Sequence, residues 1–226
     1  MSIIAISGRI GSGKDTVGRI IQYLTSEYRD KYNFVEWIDR VENYGSNTYS
    51  PFEIKKFAGK LKTIASLLTG VPVEMFEDQE FKKQFMPDEW NYFNTTYLED
   101  VGRIDHHHQM TYREFLQKLG TEAMRNVLHT DVWVNALFSD VSSEDNIIIT
   151  DMRFLNEYEA VKKRKGITIR VVRPIHALSQ ENNCGLLHSS ETSLDDVEFD
   201  YTIVNDSTIE DLIEKVKEIL IKENII

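Results

Sequence analysis

The chain constrains its own fold most tightly near its start. Ile3-Ile4-Ala5-Ile6 is an unbroken apolar run, and the stretch Gly8-Arg9-Ile10-Gly11-Ser12-Gly13-Lys14-Asp15-Thr16 follows almost at once. Beyond the glycines, Val17, Ile20, Ile21 and Leu24 recur at i, i+3, i+4 and i+7, one face of a helix. A buried strand, a glycine turn and a helix in that order aim the positive end of the helix at whatever the turn encloses. Backbone N–H groups at such a terminus attract anions, and glycine lets the backbone approach them closely. The turn nearly matches the pattern G-x-x-x-x-G-K-[ST], in the strand-then-helix context that gives the pattern its meaning. It departs at one position. Asp15 stands where a hydroxyl is usual, and the hydroxyl comes one residue later, at Thr16.

The rest of the chain alternates in the same way. "NIIITD" (146–151) reads as a second buried strand ending at Asp151, "ITIRVV" (167–172) as a third and "YTIV" (201–204) as the last, with a short strand expected over 53–58. A further strand is expected at Phe34–Ile38. Helices are expected at 60–68 with Gly70 as the stop, from 113 to an end or bend at Gly120, over 122–141, over 156–165, and after Ser207. Two capping boxes mark helix starts, Thr111 with Glu114 and Ser207 with Glu210. Strands alternating with helices imply an α/β fold, a doubly wound and largely parallel sheet. Ligands of such sheets bind beyond the C-terminal strand ends, where both the glycine turn and Asp151 fall. Residues 71–110 are rich in charge, aromatics and turn formers and read as an insertion that covers something.

Composition narrows the partners. Lys and Arg number 26 against 37 Asp and Glu, a net charge of −11. A nucleic-acid polymer needs basic surface and is not expected as a partner. A small phosphorylated ligand held by a few local cations fits. The lone cysteine, Cys184, allows no internal disulfide and has no motif partner, which suits a reducing cytoplasm. The apolar start is too short for a membrane span, so no membrane association is expected.

Several residues carry candidate chemistry. Lys14 reaches the β- and γ-phosphates of a nucleotide held by the turn. Thr16 and Asp151 are candidates for holding Mg²⁺, which keeps several waters and tolerates few protein ligands; a strand-end turn or helix cap is the alternative reading of Asp151. Arg153 stands two residues on and can reach phosphate, or form a surface ion pair. Phosphoryl transfer needs such cations because charge spreads over the oxygens of the migrating group. Arg113, Gln117, Thr121, Glu122 and Arg125 recur at helical spacing; an arginine fork with an amide suits a phosphate and a base edge, and a solvated helix face gives the same pattern. His106-His107-His108 invites a zinc reading, but three adjacent residues do not converge on one metal.

Taken in order, "SGRIGSGKDT" (7–16), "FAGKLKTIASLLTG" (57–70), "REFLQKLGTE" (113–122), "DVW" (131–133), "TDMRFLNE" (150–157), "VVRP" (171–174), "HSSET" (188–192) and "TIVNDSTIEDL" (202–212) resemble the phage-type deoxynucleoside monophosphate kinases. The resemblance implies a P-loop NTPase fold of the nucleoside monophosphate kinase type, with a five-stranded parallel sheet and a helical substrate-covering insertion. It implies one kinase domain over 1–226, with its core at about 1–27, 53–70 and 111–226 and the insertion at about 71–110. The implied reaction is Mg²⁺-dependent transfer of the ATP γ-phosphate to a deoxynucleoside monophosphate. Gly8, Arg9, Gly11, Ser12, Gly13, Lys14, Asp15 and Thr16 would hold ATP, with Arg173 on the adenine or the phosphates. Lys62, Arg113 and Arg153 become candidates for the acceptor phosphate and the transferring group, with Lys14 and Asp151 beside them in catalysis. Gln117, Thr121, Glu122, Arg125 and Trp133 would line the acceptor pocket, together with Asp151. A homodimer is implied by the resemblance alone. Cover is expected from 71–110 or from the 174–198 loop. Other small-molecule phosphate-loop kinases, acting on dephospho-coenzyme A or on adenylate, remain as alternatives, as does a nucleotide-binding regulator, although no N-K-x-D guanine motif is present.

Overall fold

The computed structural model describes residues 2–45, 47–98, 102–174 and 193–226. In chain order its elements are β1 (Ile3–Ser7), α1 (Lys14–Thr25), α2 (Phe34–Asn43), β2 (Phe52–Lys55), α3 (Gly59–Thr69), β3 (Tyr92–Leu98), β4 (Gly102–His108), α4 (Tyr112–Gln117), α5 (Val132–Phe138), β5 (Asn146–Ile149), α6 (Leu155–Lys163), β6 (Ile167–Val172), β7 (Tyr201–Val204) and α7 (Ile209–Lys222). The chain forms two compact units, one of Met1–Phe57 with Ala136–Ile226 and one of Ala58–Asn135.

The first unit is built on a five-stranded sheet in the order β2-β5-β1-β6-β7, every neighbouring pair parallel. This is the P-loop kinase-like α/β architecture. Parallel strands covered on both faces read as continuous apolar runs, and Ile3, Ile4, Ala5 and Ile6 are all at most 3% exposed. Burying one isoleucine contributes about 1.5–3 kcal/mol, so the apolar runs of β1 and β5 anchor the unit. Alternate residues face opposite ways. Ile4, Ile6, Ile148, Ile169, Val171 and Ile203 join Val17, Ile20, Ile21 and Leu24 of α1 and Leu212, Val216, Ile219 and Leu220 of α7 in one core. Among the described residues no helix is long and apolar enough to cross a membrane.

Residues 34–38 are not a strand. They open α2, because Asn33 and Glu36 form a reciprocal cap: Glu36 N–H donates to Asn33 Oδ1 at 2.9 Å and Asn33 N–H to Glu36 Oε2 at 3.1 Å. Phe34 and Trp37, three apart, then enter the core. The last helix starts one residue later than its sequence suggests. Thr208 caps it, its hydroxyl accepting from Asp211 N–H at 3.3 Å.

Asp200, just before β7, ties the entry of that strand to the entry of β6. Its carboxylate accepts from Lys162 Nζ at 2.7 Å and from both the N–H and the hydroxyl of Thr168 at 2.8 Å. Partial burial pushes this carboxyl up, but Lys162 and Thr168 outweigh it and hold it below its ordinary value. A carboxyl lowered by folding stabilises the fold at neutral pH, and the contribution is lost as pH falls through the folded-state value, below the ordinary carboxylate range. Asp200→Asn is therefore expected to lower unfolding free energy by about 1–2 kcal/mol at pH 7. The gap between mutant and wild type in urea midpoints should close at strongly acidic pH; a gap independent of pH would refute the assignment.

The second unit gathers Ala65, Phe76, Met86, Met110, Tyr112 and Phe115 around its own core. The insertion is helical only in three single 3₁₀ turns, at Val73–Phe76, Phe81–Lys83 and Asp88–Trp90. The rest of its regular structure is an antiparallel hairpin in which Tyr92 pairs with His108 and Leu98 with Gly102. The three histidines lie on β4, so strand alternation turns His107 away from His106 and His108. His107 packs edge-on to Phe93, while His108 Nε2 lies 2.7 Å from Glu114 Oε2. No group of three or more His, Cys, Asp or Glu placed to hold a metal ion is found among the described residues. The cap at Thr111 forms, with Glu114 N–H donating to its hydroxyl at 3.2 Å, but the Glu114 carboxylate turns to Tyr92 and His108. Nor does the helix end at Gly120. After Gln117 the chain widens into a π-helix over Lys118–Leu128, and Trp133 Nε1 donates to Gly120 O at 2.9 Å.

Candidate functional site

All five parallel strands of the first unit end on the same side, and each hands the chain to a polar or small residue there. β1 leads to Gly8, β2 to Lys56, β5 to Thr150 and Asp151, β6 to Arg173 and β7 to Asn205. The glycine turn is the centre of this edge. Gly11 and Gly13 adopt φ of 77° and 97°, the left-handed region, and Gly13 is the residue before α1. No side chain caps that helix, and its positive end draws an anion. Lys14 is the first helical residue and half-buried.

Two neighbours shape the turn. A Cβ on Gly8 would lie 2.6 Å from Val171 O, so the chain passes tightly over β6. Asn205 Nδ2 donates to Ser12 O at 2.8 Å, and its own N–H is held by Val172 O at 2.8 Å. A side chain on Gly13 would collide with that amide at 2.5 Å. Ser12 is 2% exposed and its hydroxyl finds no hydrogen-bond partner among the described residues. A buried unpaired hydroxyl is costly, and a phosphate oxygen placed in the turn would satisfy it. These are the features of a phosphate cradle, and they fit a nucleotide.

Asp15 occupies the first turn of α1. Thr150 Oγ1 donates to its Oδ1 at 2.8 Å, and Lys56 Nζ lies 3.4 Å from the same oxygen. Partial desolvation pushes the Asp15 carboxyl up, yet Lys56, Thr150 and Lys14 together hold it below its ordinary value. Thr16 is half-buried one residue on. Asp151 Oδ1 accepts from Phe57 N–H at 2.8 Å, fixing the exit of β2. The Arg153 and Phe154 N–H groups donate to Glu157 Oε2 at 2.8 and 3.1 Å, which starts α6 and orients the residue at 153. Arg9 pairs with Asp195 at 3.5 Å, and Asp195 also holds Arg170. Arg173 is exposed just beyond β6. The sequence-derived set of Gly8 to Thr16, Asp151, Arg153 and Arg173 thus shares the strand-end edge of one unit.

Lys62, Arg113, Gln117, Thr121, Glu122, Arg125 and Trp133 all belong to the second unit. Lys62 pairs with Glu77, and an Arg113 guanidinium nitrogen donates to Gln79 Oε1 at 3.0 Å. Gln117 and Glu122 are exposed, Glu122 lying 3.5 Å from Lys118. Thr121 and Arg125 are half-buried on the π-helix. Trp133 is 5% exposed, its indole N–H already engaged with Gly120 O. Trp90, Met110, Phe115 and Leu119 frame an open apolar cleft of about 440 Å³, with Lys118 and Glu122 at its rim. Cys184, "HSSET" and residues 175–192 of the expected covering loop lie outside the described residues. Lys56, Thr150 and Asn205 were not singled out from the sequence. Their signal was positional: each immediately follows a strand of an all-parallel sheet.

Comparison with known proteins agrees with this geometry. The family described as deoxynucleotide monophosphate kinase matches residues 61–216, more than half of the chain. The chain is 26% identical over 188 residues to the deoxynucleoside-5′-monophosphate kinase of Escherichia phage T5, covering 71% of this chain and 72% of that one. It is 31% identical over 117 residues to the deoxynucleotide monophosphate kinase of Enterobacteria phage T4, covering 50% of this chain and 46% of that one. A phosphate cradle at the strand ends of a parallel sheet, and a family match running through both compact units, lead to one conclusion: the chain belongs to the deoxynucleotide monophosphate kinase family.

Proposed function

We propose that the protein transfers the γ-phosphoryl group of ATP to deoxynucleoside 5′-monophosphates, giving the diphosphates and ADP. The observation that carries this reading is the cradle itself, in which Gly13 leads into an uncapped helix, Lys14 begins that helix, and the buried Ser12 hydroxyl awaits an acceptor. In this reading Gly8 to Thr16 hold the triphosphate and Arg173 lies against the adenine or the phosphates. Arg153 neutralises the migrating group. Thr16 and Asp151 would hold Mg²⁺ alongside phosphate oxygens and water, an arrangement that suits an ion reluctant to shed its waters. The metal would supply charge neutralisation along the phosphate chain.

The acceptor is assigned to the second unit. Lys62 and Arg113 take its phosphate; Gln117, Thr121, Glu122 and Arg125 read its nucleoside; Trp133 buttresses the helix that carries them. The cleft framed by Trp90, Met110 and Phe115 supports this assignment, because a base stacks on rings and leaves its polar edge for groups such as Glu122. The acceptor phosphate is already a nucleophile at neutral pH, so the chemistry asks for position and charge rather than a strong base. Residues 71–110 are taken as a substrate-covering insertion within one kinase domain, and the working form as a cytoplasmic homodimer.

The test is diphosphate formation from dAMP, dGMP, dCMP and dTMP with ATP and Mg²⁺, beside the ribonucleotides, AMP and dephospho-coenzyme A. Product from dephospho-coenzyme A with none from any deoxynucleotide would reject the reading, as would nucleotide binding without transfer. Arg113→Ala is expected to raise KM for the deoxynucleotide about tenfold or more and leave KM for ATP within threefold, the loss of one charge-assisted phosphate contact. An effect confined to KM for ATP would mean that donor and acceptor residues are wrongly assigned.

A further inference from the structure

We propose that Lys56 is a second cation acting on the transferring phosphoryl group, and that Asp15 is the residue that positions it; this rests on the phosphoryl-transfer reading above. Asp15 poses a physical problem. It puts a carboxylate directly after the loop lysine, in the region that must accept the anionic phosphates of ATP. Uncompensated, that charge would oppose the donor. The structure compensates it from two strands. Thr150, fully buried at the end of β5, donates its hydroxyl to Asp15 Oδ1 at 2.8 Å, which fixes the carboxylate. Lys56, the first residue after β2, brings its ammonium to 3.4 Å from the same oxygen. Thr150 fixes Asp15, and Asp15 fixes Lys56.

The result is a lysine held beside the first turn of α1 that no phosphate-loop pattern contains. Its side chain is 29% exposed, which limits solvent screening of the charge. Lys56, Asp15 and Thr16 line one cavity of about 870 Å³ that opens alongside α1. A hydroxyl at position 15 has no charge with which to hold an ammonium, so the departure at Asp15 and the presence of Lys56 explain each other. In the reaction an acceptor phosphate oxygen forms a new bond to the γ-phosphorus. The bond from that phosphorus to the β–γ bridging oxygen breaks, its electron pair leaves with ADP, and a dianionic acceptor gives up no proton. Charge on the three equatorial oxygens needs cations from more than one direction. Lys14 approaches from the helix, and Lys56 from the edge of the sheet.

The experiment compares Lys56→Met, Lys56→Arg and Asp15→Asn with wild type in the full-length protein, using ATP, Mg²⁺ and the deoxynucleotide that wild type phosphorylates best. Lys56→Met is expected to lower kcat roughly 30- to 100-fold, at or below the usual cost of one electrostatic donor, with KM for ATP within threefold. Lys56→Arg should recover most of the loss, and Asp15→Asn should lower kcat about five- to tenfold because Lys56 loses its anchor. Affinity for ADP–aluminium fluoride with the deoxynucleotide, read by thermal shift, should fall in Lys56→Met while affinity for ATP persists. That readout holds even for a variant of reduced stability. A Lys56→Met enzyme within twofold of wild-type kcat, or an arginine variant no better than methionine, leaves the contact a structural ion pair and overturns the proposal. Wild type failing to phosphorylate any deoxynucleotide would instead overturn the functional reading, so the two failures are distinct.

Discussion

Lys14→Ala lowers turnover by roughly 10²- to 10³-fold, the usual cost of removing one preorganised charge from a phosphoryl-transfer site, and leaves the thermal midpoint within a few degrees of wild type. The expectation follows from where Lys14 sits. It is the first residue of α1, and alanine is the best helix former, so the helix that packs Val17, Ile20 and Ile21 into the core is not weakened by the change. What disappears is a half-buried ammonium at the positive end of a helix whose first N–H groups are uncapped. The turn keeps its shape through Asn205 and Ser12, so ATP still binds, more weakly. Steady-state kinetics beside a melting curve decides the matter. Unchanged turnover with normal melting would remove the loop from catalysis, and a collapse in melting temperature would make Lys14 a structural residue.

The β1 and β5 strands were legible because parallel strands buried on both faces leave continuous apolar runs, whereas β6 and the edge strand β7 show only the mixed runs Ile167–Val172 and Tyr201–Val204, with Thr202 and Val204 exposed. The same reasoning failed at Phe34–Ile38. "FVEWI" is a short apolar-rich run that fits a strand or one turn of a buried helix, while Phe34, Trp37 and Ile38 stand at i, i+3 and i+4; the Asn33–Glu36 cap decides for helix. The hairpin of β3 and β4 gave no apolar alternation, because its residues Asn94 to Thr96 and His106 to His108 are polar. The glycine turn was legible residue by residue, since its chemistry is local in sequence. Lys56, Thr150 and Asn205 were not, because each reaches the turn through the sheet: Thr150 is 135 residues from Asp15 and Asn205 is 193 from Ser12. Sequence spacing carries no trace of such contacts. Only the order β2-β5-β1-β6-β7 brings those strand ends to one edge.

Gly13→Val should abolish stabilisation by ATP and cost the apo protein about 2–4 kcal/mol. Two separate penalties add. At φ of 97° an L-residue is strained by about 1–2 kcal/mol, more for a β-branched side chain. The new Cβ also meets Asn205 Nδ2 at 2.5 Å, so the amide must leave Ser12 O, which loses a hydrogen bond worth about 1 kcal/mol and leaves a carbonyl of a 2% exposed residue without its partner. The two penalties can be separated. Asn205→Ala removes the amide and hence the collision, but not the backbone strain. Gly13→Ala combined with Asn205→Ala should therefore destabilise less than the sum of the single changes, by about 1 kcal/mol of coupling. Urea unfolding of the four proteins measures that cycle. Strict additivity would show that Asn205 and the turn are energetically independent, and the strain at Gly13 alone would then have to account for the whole loss. A coupling near the expected size would instead make the last strand of the sheet part of the phosphate site, because the amide that shapes the turn is held in place by Val172 and β7 rather than by the turn itself.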